Sequence, residues 1–361
     1  MNLSKPHAAE GVSDTERSLL RKSVRDFLTV RWPAERAAEQ SGSTQAIATL
    51  WRDMAGQGLV ALGSNTAEVG LREIALVFEE LGRASCPAPL LGAVGANLAF
   101  ATQQSNTAHA LLEDLHQGKA MIALALGAFD GDPSAGRVDM RGDTLSGKAS
   151  FVEGAQTATH FLIFTDTPVG VAVVANDAPG LKMKVTPGLA VPPFCELTFE
   201  NTPAMQLSVP TETLADVALV MRLACAGRAL GAAQRAFELA VDHAKIRKQF
   251  GQLIGQFQAV QHKLANCLIS LDGARLTLET AAKAQDADNP DWRIFAASAL
   301  AFAGPALRAV SIETHRALGA IGYAEEHEAP QHFRRVHADL ARFGGAPRAR
   351  AELANFLLGP A

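Results

Sequence analysis

The chain of 361 residues lacks several features that mark special classes of protein. It has only four cysteines, Cys86, Cys195, Cys225 and Cys267, which lie far apart and form no CxxC pair. The sequence therefore indicates neither a disulfide framework nor a zinc site, and we expect four small buried thiols in a reducing cytoplasm. It has no apolar signal segment at its start and no uncharged run of about 18 apolar residues, so we expect a cytoplasmic protein without a membrane span.

A strong excess of one charge is also absent. The chain has 33 Lys and Arg against 37 Asp and Glu, a net charge of −4, and its cations are scattered. Nucleic acids and anionic membranes attract clustered basic residues, so neither is expected as a partner. What the chain does contain is 48% hydrophobic residues, enough for a large core and for two or three packed units.

The period of these hydrophobic residues divides the chain into three regions. The first is helical and opens with a capping box, Ser13 with Glu16, before an apolar stripe that includes Leu19. The second has short runs of β-branched and aromatic residues cut by Gly, Asp and Pro, which predicts antiparallel strands. The third returns to the helical period in four segments, the last beginning near Gln331. We predict an α+β, mainly α fold, with an N-terminal helical domain, a middle antiparallel β-barrel domain and a C-terminal four-helix bundle, at 1–117, 118–210 and 211–361.

Two motifs in the last region resemble those of a known family. Residues 233–266, "AQRAFELAVDHAKIRKQFGQLIGQFQAVQHKLAN", are close to AxxYAxxRxQFGxPIxxFQxVQxxLA, and residues 315–339, "HRALGAIGYAEEHEAPQHFRRVHAD", are similar to QxxGGxGYxxEyPxxRxxRD. With the order of helices, strands and helices, the chain resembles the acyl-CoA dehydrogenase family over nearly its whole length. The resemblance implies an N-terminal α domain, a middle β-barrel, a C-terminal four-helix bundle, and FAD held between subunits that usually form tetramers.

The "RKQFG" segment is implied to contact FAD held mainly by a neighbouring subunit. Arg247 offers five N–H donors in a planar fork that fits a diphosphate, Phe250 offers an apolar surface for adenosine, and the Gln258 amide offers hydrogen bonds. Gly251 permits the turn between two helices. The alternative is a polar helix end, where Lys and Arg are favoured by the helix dipole.

The second motif is implied to lie against the same cofactor through Gly319 and Gly322 of "LGAIGY". Arg316 stands where the family usually has Gln, and Ala320 where it has a second Gly. An extra cation beside a diphosphate is compatible with binding, although it departs from the family pattern.

The catalytic base of the family is missing from both of its usual positions. The family's "IYEGT"-like turn aligns with "LARFGGAP", which places Phe343 where the Glu stands, and no Asp or Glu lies within that stretch. Other members carry the base beside an Arg on the helix before "RKQFG"; here that Arg is Arg222, implied to contact substrate, and its neighbour is Met221. Neither side chain can accept a proton, so the catalytic residue is unknown.

The family's own flavin loop is also eroded. "TEPGxGSD" is replaced by "LGAFDGDPSAG", in which Ser134 is the candidate donor, and "WIT" by "SFVEG", in which Phe151 is the candidate cover for the flavin ring. Glu153 follows; an inward carboxylate there would disfavour the anionic reduced flavin, and we expect a solvated turn residue instead.

Other acidic and basic side chains of the C-terminal segment give weaker signals. Asp339 is a candidate displaced base, or a pairing partner of Arg335 or Arg342. Glu325, Glu326 and Glu328 are expected to be solvated. No metal is expected, because the histidines do not share one helical face: His315, His327, His332 and His337.

Two functions remain open. In one, the chain is a catalytically silent subunit that gives Arg247 and Phe250 to FAD seated in a homologous partner, as in bacterial sterol side-chain degradation. In the other, it desaturates an acyl-CoA by itself with a displaced base. A homo-oligomer and a hetero-oligomer both stay possible, and a helical scaffold without cofactor is a third reading. We expect a small-residue stripe on the first bundle helix to be buried between subunits, and the alternative is that it belongs to the core of the chain's own bundle: Ala229, Ala232, Ala236 and Ala240.

Overall fold

The order of secondary structure follows the three regions of the sequence. The computed structural model describes residues 12–65, 69–101, 105–127 and 133–359. Within them, helices occupy the chain up to His116, strands run from Ile122 to Leu207, and helices return at Thr211. The predicted helical, β and helical architecture is confirmed, while the domain limits at 117 and 210 stay a prediction.

Helices make up the described part of the N-terminal region. The first begins at the predicted capping box, in which the Ser13 hydroxyl accepts from the Glu16 amide at 3.3 Å and the Glu16 carboxylate accepts from the Ser13 amide at 2.7 Å. Leu19 is 62% exposed, so its place on the buried stripe was wrong. The helices are α1 Asp14–Arg31, α2 Ala34–Gln40, α3 Thr44–Gly56, α4 Leu71–Arg83, α5 Leu90–Phe100 and α6 Asn106–His116.

The β region consists of two four-stranded sheets that share one core. Their orders are β1-β4-β5-β8 and β2-β3-β7-β6, and an Asp139–Thr167 bridge links them. Alternate residues such as Leu145, Phe161 and Leu197 point into the space between the sheets. The strands are β1 Ile122–Ala125, β2 Val138–Arg141, β3 Thr144–Val152, β4 His160–Asp166, β5 Val169–Ala175, β6 Leu181–Val185, β7 Cys195–Pro203 and β8 Met205–Leu207.

One strand pair departs from the predicted antiparallel pattern. β1 pairs with β4 in parallel, with Ile122 opposite His160 and Ala125 opposite Ile163. A parallel pair needs a long connection, and here β2 and β3 of the other sheet form it. The turn residues in the sequence indicate hairpins but not this crossover.

The C-terminal region is a bundle of three long helices and two shorter ones. The predicted single last helix is wrong, because α10 and α11 are separated at Arg342–Gly344, where Phe343 and Gly344 have left-handed φ values of 57° and 74°. Such values end a helix. The helices are α7 Thr211–Ile246, α8 Gln258–Asp286, α9 Trp292–Leu318, α10 Ala329–Ala341 and α11 Gly345–Leu358.

The segment that contains α9, Trp292–Tyr323, is long and apolar enough to span a membrane by length and composition alone. Half of its most apolar window is buried inside the chain, where α9 packs on α7, α8 and α11. This packing accounts for its apolar residues, as in the core helix of a bundle.

The small-residue stripe of α7 packs inside the chain rather than between subunits. All four members are at most 4% exposed, so the expected inter-subunit face is wrong and the alternative, the core of the chain's own bundle, is observed: Ala229, Ala232, Ala236 and Ala240. Glycines let α7 approach α4 closely. A Cβ added at Gly231 would lie 1.8 Å from the Glu79 carbonyl oxygen, and one at Gly82 would lie 1.8 Å from that of Arg228.

We expect Gly231→Ala to reduce the free energy of unfolding by about 1–3 kcal/mol, because the new methyl group meets backbone that cannot move without separating α4 from α7. Gly56→Ala is the matched control: it lies in the last turn of α3 with nothing within 4 Å of its Cβ, so it should be neutral or stabilise by up to about 1 kcal/mol. Urea unfolding followed by circular dichroism measures both. Equal stability of the two variants would contradict the close crossing.

Candidate functional site

The "RKQFG" segment forms a short hairpin between α7 and α8. Its strands are β9, Lys248–Gln249, and β10, Gln252–Leu253, joined by a turn in which Phe250 and Gly251 both have left-handed φ values, 52° and 81°. Two left-handed residues are typical of the tight turn that connects antiparallel strands. The expected turn at Gly251 is therefore present.

Phe250 is displayed at the tip of this hairpin. Its side chain is 92% exposed, and the Phe257 ring meets it edge-on with 6.2 Å between ring centroids. A left-handed conformation costs a residue with a Cβ about 1–2 kcal/mol, and the contact with Phe257 leaves the Phe250 side chain almost fully exposed. Arg247, the C-terminal cap residue of α7, is exposed beside it. The hairpin thus presents an aromatic ring and a cation to the outside.

The second predicted segment lies at the same end of the bundle. Lys263, near the start of α8, pairs at 3.0 Å with Glu313, near the end of the antiparallel α9. Gln258, exposed at the first position of α8, is therefore close to the end of α9 that carries Arg316 and Gly319. The structure brings these predicted residues to one exposed end.

The members of the second segment differ in their surroundings. Arg316 is exposed and pairs with Glu313 at 2.5 Å. Gly319 has a left-handed φ of 61° and open space around its Cβ position, whereas Gly322 is buried, with the His315 carbonyl oxygen 3.1 Å from its Cβ position. Gly319 thus leaves room for a close approach from outside the chain.

Both positions that the resemblance implies for the catalytic base hold buried apolar side chains. Met221 on α7 is fully buried, and Phe343, between α10 and α11, is 8% exposed. A cavity of only about 20 Å³ lies beside Phe343 and is lined also by Arg222 and Arg342. Such a space holds about one water molecule.

Arg222, predicted to contact substrate, bonds within the chain. It is 6% exposed, and its Nη1 donates to both carboxylate oxygens of Glu352 on α11 at 2.8 Å. The sequence does not predict this partner, because its pattern favours one long last helix where the structure has a separate α11.

A buried ion network lies where β3 ends against α7 and α10. Arg228 of α7 donates to Glu153 at 2.8 Å through both Nη atoms, and to Asp339 through Nε at 2.8 Å and Nη2 at 2.7 Å. Arg335 and Arg342 donate to the two Glu153 oxygens at 3.1 and 2.7 Å. We call these five residues the Glu153 network.

The Glu153 network corrects the expectation of a solvated turn at Glu153, which is only 4% exposed. Burial alone would raise the pKa of this carboxyl, but Arg228, Arg342 and Arg335 hold its pKa well below the usual range. Sequence reasoning missed Arg228, which is 0% exposed; its signal is an Arg inside the apolar stretch "LACAGRALGAA". An Arg buried this deeply needs carboxylate partners.

Asp339 pairs with neither partner that the sequence suggested. Both of its oxygens accept from Arg228, and its side chain is 0% exposed. A carboxylate held this way has no open approach for a substrate proton. Its candidacy as a displaced base therefore receives no support from the geometry.

The C-terminal histidines are dispersed into separate contacts. His332 bonds Ser85 at 3.1 Å and Glu328 at 3.2 Å, His337 bonds Ser311 at 3.1 Å, and His315 stacks edge-on with Tyr323. No cluster able to hold a metal occurs among the residues described. The four cysteines are free and buried, as expected.

Glu328 is another acid expected in solvent that is instead paired. Its carboxylate accepts from Arg235 at 2.5 Å and from His332 at 3.2 Å. Burial raises the pKa of Glu328, but these bonds outweigh it and bring the pKa to about 2. Burial also lowers the pKa of His332, which is therefore neutral near pH 7.

These shifts predict an acid-labile contact. Because the Glu328 pKa falls from 4.5 to about 2 on folding, the stability it contributes is present above about pH 4.5 and is lost as the pH falls towards 2. The lowered His332 pKa adds a loss that begins below about pH 6.5. Urea unfolding between pH 7 and pH 3 measures the free energy of unfolding at each pH. In Glu328→Gln this free energy should fall less steeply below about pH 4.5 than in the unchanged protein. An equally steep fall would contradict the assignment.

The fold agrees with comparisons to known proteins. Residues 14–109 match the model of the acyl-CoA dehydrogenase N-terminal domain, and residues 214–346 match that of the acyl-CoA dehydrogenase C-terminal domain. A relative that is 30% identical over 319 residues, the 3-sulfinopropanoyl-CoA desulfinase of Paraburkholderia xenovorans, covers 79% of this chain and 80% of its own. The chain belongs to the acyl-CoA dehydrogenase family.

Two further relatives cover more of the chain. Acyl-CoA dehydrogenase IpdE2 of Mycobacterium tuberculosis is 29% identical over 331 residues, 89% of this chain and 91% of its own. A solved structure of the Tcur3481-Tcur3483 steroid acyl-CoA dehydrogenase, in a G363A variant, superposes with a TM-score of 0.86 at 29% identity, over 95% of this chain and 98% of that one.

The two parts of the family's flavin site fit FAD differently in this chain. The exposed hairpin fits the phosphates and adenosine of a cofactor held mainly by another subunit, through the Arg247 fork and the Phe250 ring. At the inner position, where the resemblance implies residues that cover the flavin, Phe151 is 37% exposed, and the Glu153 carboxylate is bound by Arg228 and Arg342 and offers no hydroxyl to a flavin ring.

Proposed function

We propose that this chain is a subunit of an FAD-dependent acyl-CoA dehydrogenase that takes part in the α,β-desaturation of an acyl-CoA thioester. In the assembled protein it contributes its hairpin to FAD held by a neighbouring subunit, and it lacks the usual Glu base. The observation that carries the proposal is Phe250, a 92% exposed aromatic residue held in a left-handed turn beside Arg247. A strained backbone that holds a side chain out of the protein is typical of a binding residue.

Each residue at this end has a distinct part in the proposal. FAD, when bound, accepts the hydride that leaves the substrate. Arg247 binds the diphosphate with its planar fork, Phe250 covers the adenosine, and Gln258 adds an amide hydrogen bond. Arg316 adds a second cation, and the open space at Gly319 permits the cofactor to approach the backbone.

A relative supports one class of acyl group. The relative with a TM-score of 0.86 is a steroid acyl-CoA dehydrogenase, which supports a steroid-derived thioester as substrate. The desulfinase among the relatives is also named for a reaction on an acyl-CoA, which supports a CoA thioester as the substrate class.

The test is FAD retention in the assembled flavoprotein. Arg247→Ala should weaken FAD binding by about 1.5–3 kcal/mol, roughly 10- to 150-fold in the dissociation constant, because a charge-assisted contact is lost. Arg247→Lys should recover only part, since an ammonium cannot form the fork. Lys245→Ala, an exposed cation of the same helix end that pairs with Asp242, is the matched control and should retain FAD. Unchanged flavin content in Arg247→Ala would refute the proposal.

The alternative function is a self-sufficient dehydrogenase with a displaced base. Asp339 is the acidic residue nearest in sequence to the usual position, and both of its oxygens are bound by Arg228. A base must reach the substrate proton within hydrogen-bond distance, and a side chain with 0% exposure does not offer that reach.

A further inference from the structure

Three side chains away from the exposed hairpin form a hydrogen-bonded chain of serine, histidine and glutamate. The Ser85 hydroxyl lies 3.1 Å from His332 Nδ1, and His332 Nε2 lies 3.2 Å from a carboxylate oxygen of Glu328. Ser85 follows α4, whereas His332 lies on α10, 247 positions further along the chain. The fold thus brings together a hydroxyl, a base and an acid in the order that serine hydrolases use.

The acid fixes where the protons of this chain lie. The Glu328 carboxylate is ionised at neutral pH, since its pKa is about 2, so it can only accept hydrogen bonds. The proton of the neutral His332 ring therefore lies on Nε2, which donates to Glu328, and Nδ1 is left as an acceptor. The Ser85 hydroxyl donates to Nδ1, and this is the bond through which a histidine removes a serine proton.

Ser85 occupies a backbone position that suits glycine. It has a left-handed φ of 47°, its amide donates to the Gly82 carbonyl at 3.1 Å, and the Cys86 amide donates to the Leu81 carbonyl at 2.9 Å. These two bonds form the Schellman motif at the end of α4, in which glycine is usual at the left-handed position. The chain keeps a hydroxyl where glycine is the less strained choice, and such strain is concentrated at functional sites.

All three side chains line one cavity of about 340 Å³. Ser85 and His332 are otherwise buried, so the cavity is their route to a substrate. Sites for small molecules measure about 300–1,000 Å³. Arg25 and Arg83 also line the cavity and supply positive charge of the kind that stabilises an oxyanion. Apolar side chains that suit an acyl group form another part of its wall: Leu28, Trp32, Pro33, Ala34 and Ala37.

We propose that Ser85, His332 and Glu328 form an esterase site that hydrolyses small acyl esters without FAD. The Ser85 Oγ bonds to the ester carbonyl carbon while its proton passes to His332 Nδ1. That proton leaves with the alcohol as the ester C–O bond breaks. A water molecule then attacks the acyl-serine, which releases the acid and restores the Ser85 hydroxyl. Glu328 positions the His332 ring and stabilises its charged form.

The test uses the whole chain purified alone, without FAD, and two probes: a fluorophosphonate, which labels activated serines, and p-nitrophenyl acetate, a small acyl ester. We expect one label per chain, on the peptide that contains Ser85, and saturable release of p-nitrophenol. Ser85→Gly should abolish both and yet remain folded by circular dichroism, because glycine suits the left-handed position. An unlabelled chain, or a label that persists in Ser85→Gly, would overturn the proposal.

Three further variants separate this site from accidental reactivity. Ser311→Ala is the matched control, because Ser311 also bonds a histidine, His337, at 3.1 Å but does not line this cavity, so the label and the rate should stay. His332→Gln should lower kcat by about 10²-fold or more. Glu328→Gln should lower kcat while KM is unchanged, since it acts only through the orientation of His332. Unchanged kcat in both variants would contradict the site. None of these measurements involves FAD, so their failure leaves the proposed function untouched.

Discussion

Replacing Arg228 with methionine should lower the free energy of unfolding by about 3–5 kcal/mol, the largest stability loss we expect from a single substitution here. Methionine approximates the length of the side chain, but it removes four hydrogen bonds to Glu153 and Asp339. Glu153 keeps Arg335 and Arg342, whereas Asp339 is left as a buried carboxylate without its cation. The uncompensated Asp339 charge is the main source of the loss.

The matched control is Arg293→Met. Arg293 also binds an acid through two atoms, donating to Asp216 at 2.8 and 2.9 Å, but its side chain is 35% exposed. Exposed pairs contribute about 0–1 kcal/mol, so the control should be nearly neutral. Adding Asp339→Leu to Arg228→Met should restore part of the stability by removing the orphaned charge. Urea unfolding gives the free energy of unfolding of Arg228→Met, Arg293→Met and the double variant. A double variant less stable than Arg228→Met would contradict the role of the orphaned Asp339 charge.

The elements that the sequence predicts well are those set by local chemistry. The capping box of Ser13 and Glu16 and the turn at Phe250 and Gly251 depend on residues next to each other in the chain. Their side chains and backbone preferences suffice to specify them. The family motifs likewise locate the hairpin, because they are continuous stretches of sequence.

The features that the sequence does not predict depend on distant residues. In the sequence Glu153 resembles a solvated turn residue, because its partners are 75 to 189 positions away. In the fold, Arg228, Arg335 and Arg342 contact it from other elements. The parallel pairing of β1 with β4 similarly depends on a crossover through the other sheet. The α7 alanines are apolar whatever covers them, and the packing of α4, α9 and α10 on α7 decides that the chain itself covers them. Charge partners and crossing distances are properties of the fold, not of local pattern.

The isolated chain should desaturate acyl-CoA thioesters at least about 100-fold more slowly than the assembled flavoprotein. General-base catalysis contributes about 10²–10⁴-fold, and the two usual positions hold Met221 and Phe343. Turnover of a steroid-derived acyl-CoA with an artificial electron acceptor and added FAD compares the two forms directly. Robust turnover by the isolated chain would contradict the silent-subunit proposal.

Asp339→Asn in the assembled flavoprotein separates the two functions that remain. If Asp339 only supports the fold, the substitution should lower the melting temperature, because Arg228 keeps a weaker neutral partner, while kcat below that temperature changes less than about threefold. If Asp339 is the displaced base, kcat should fall by about 10²–10⁴-fold, and the acidic limb of the pH–rate profile should disappear with it. The pH–rate profile separates loss of stability from loss of the base. A loss of packing changes the amount of active protein, but it leaves the apparent pKa values of the pH–rate profile unchanged. We expect a destabilised, active protein with an intact acidic limb, which belongs to the base supplied by the partner chain.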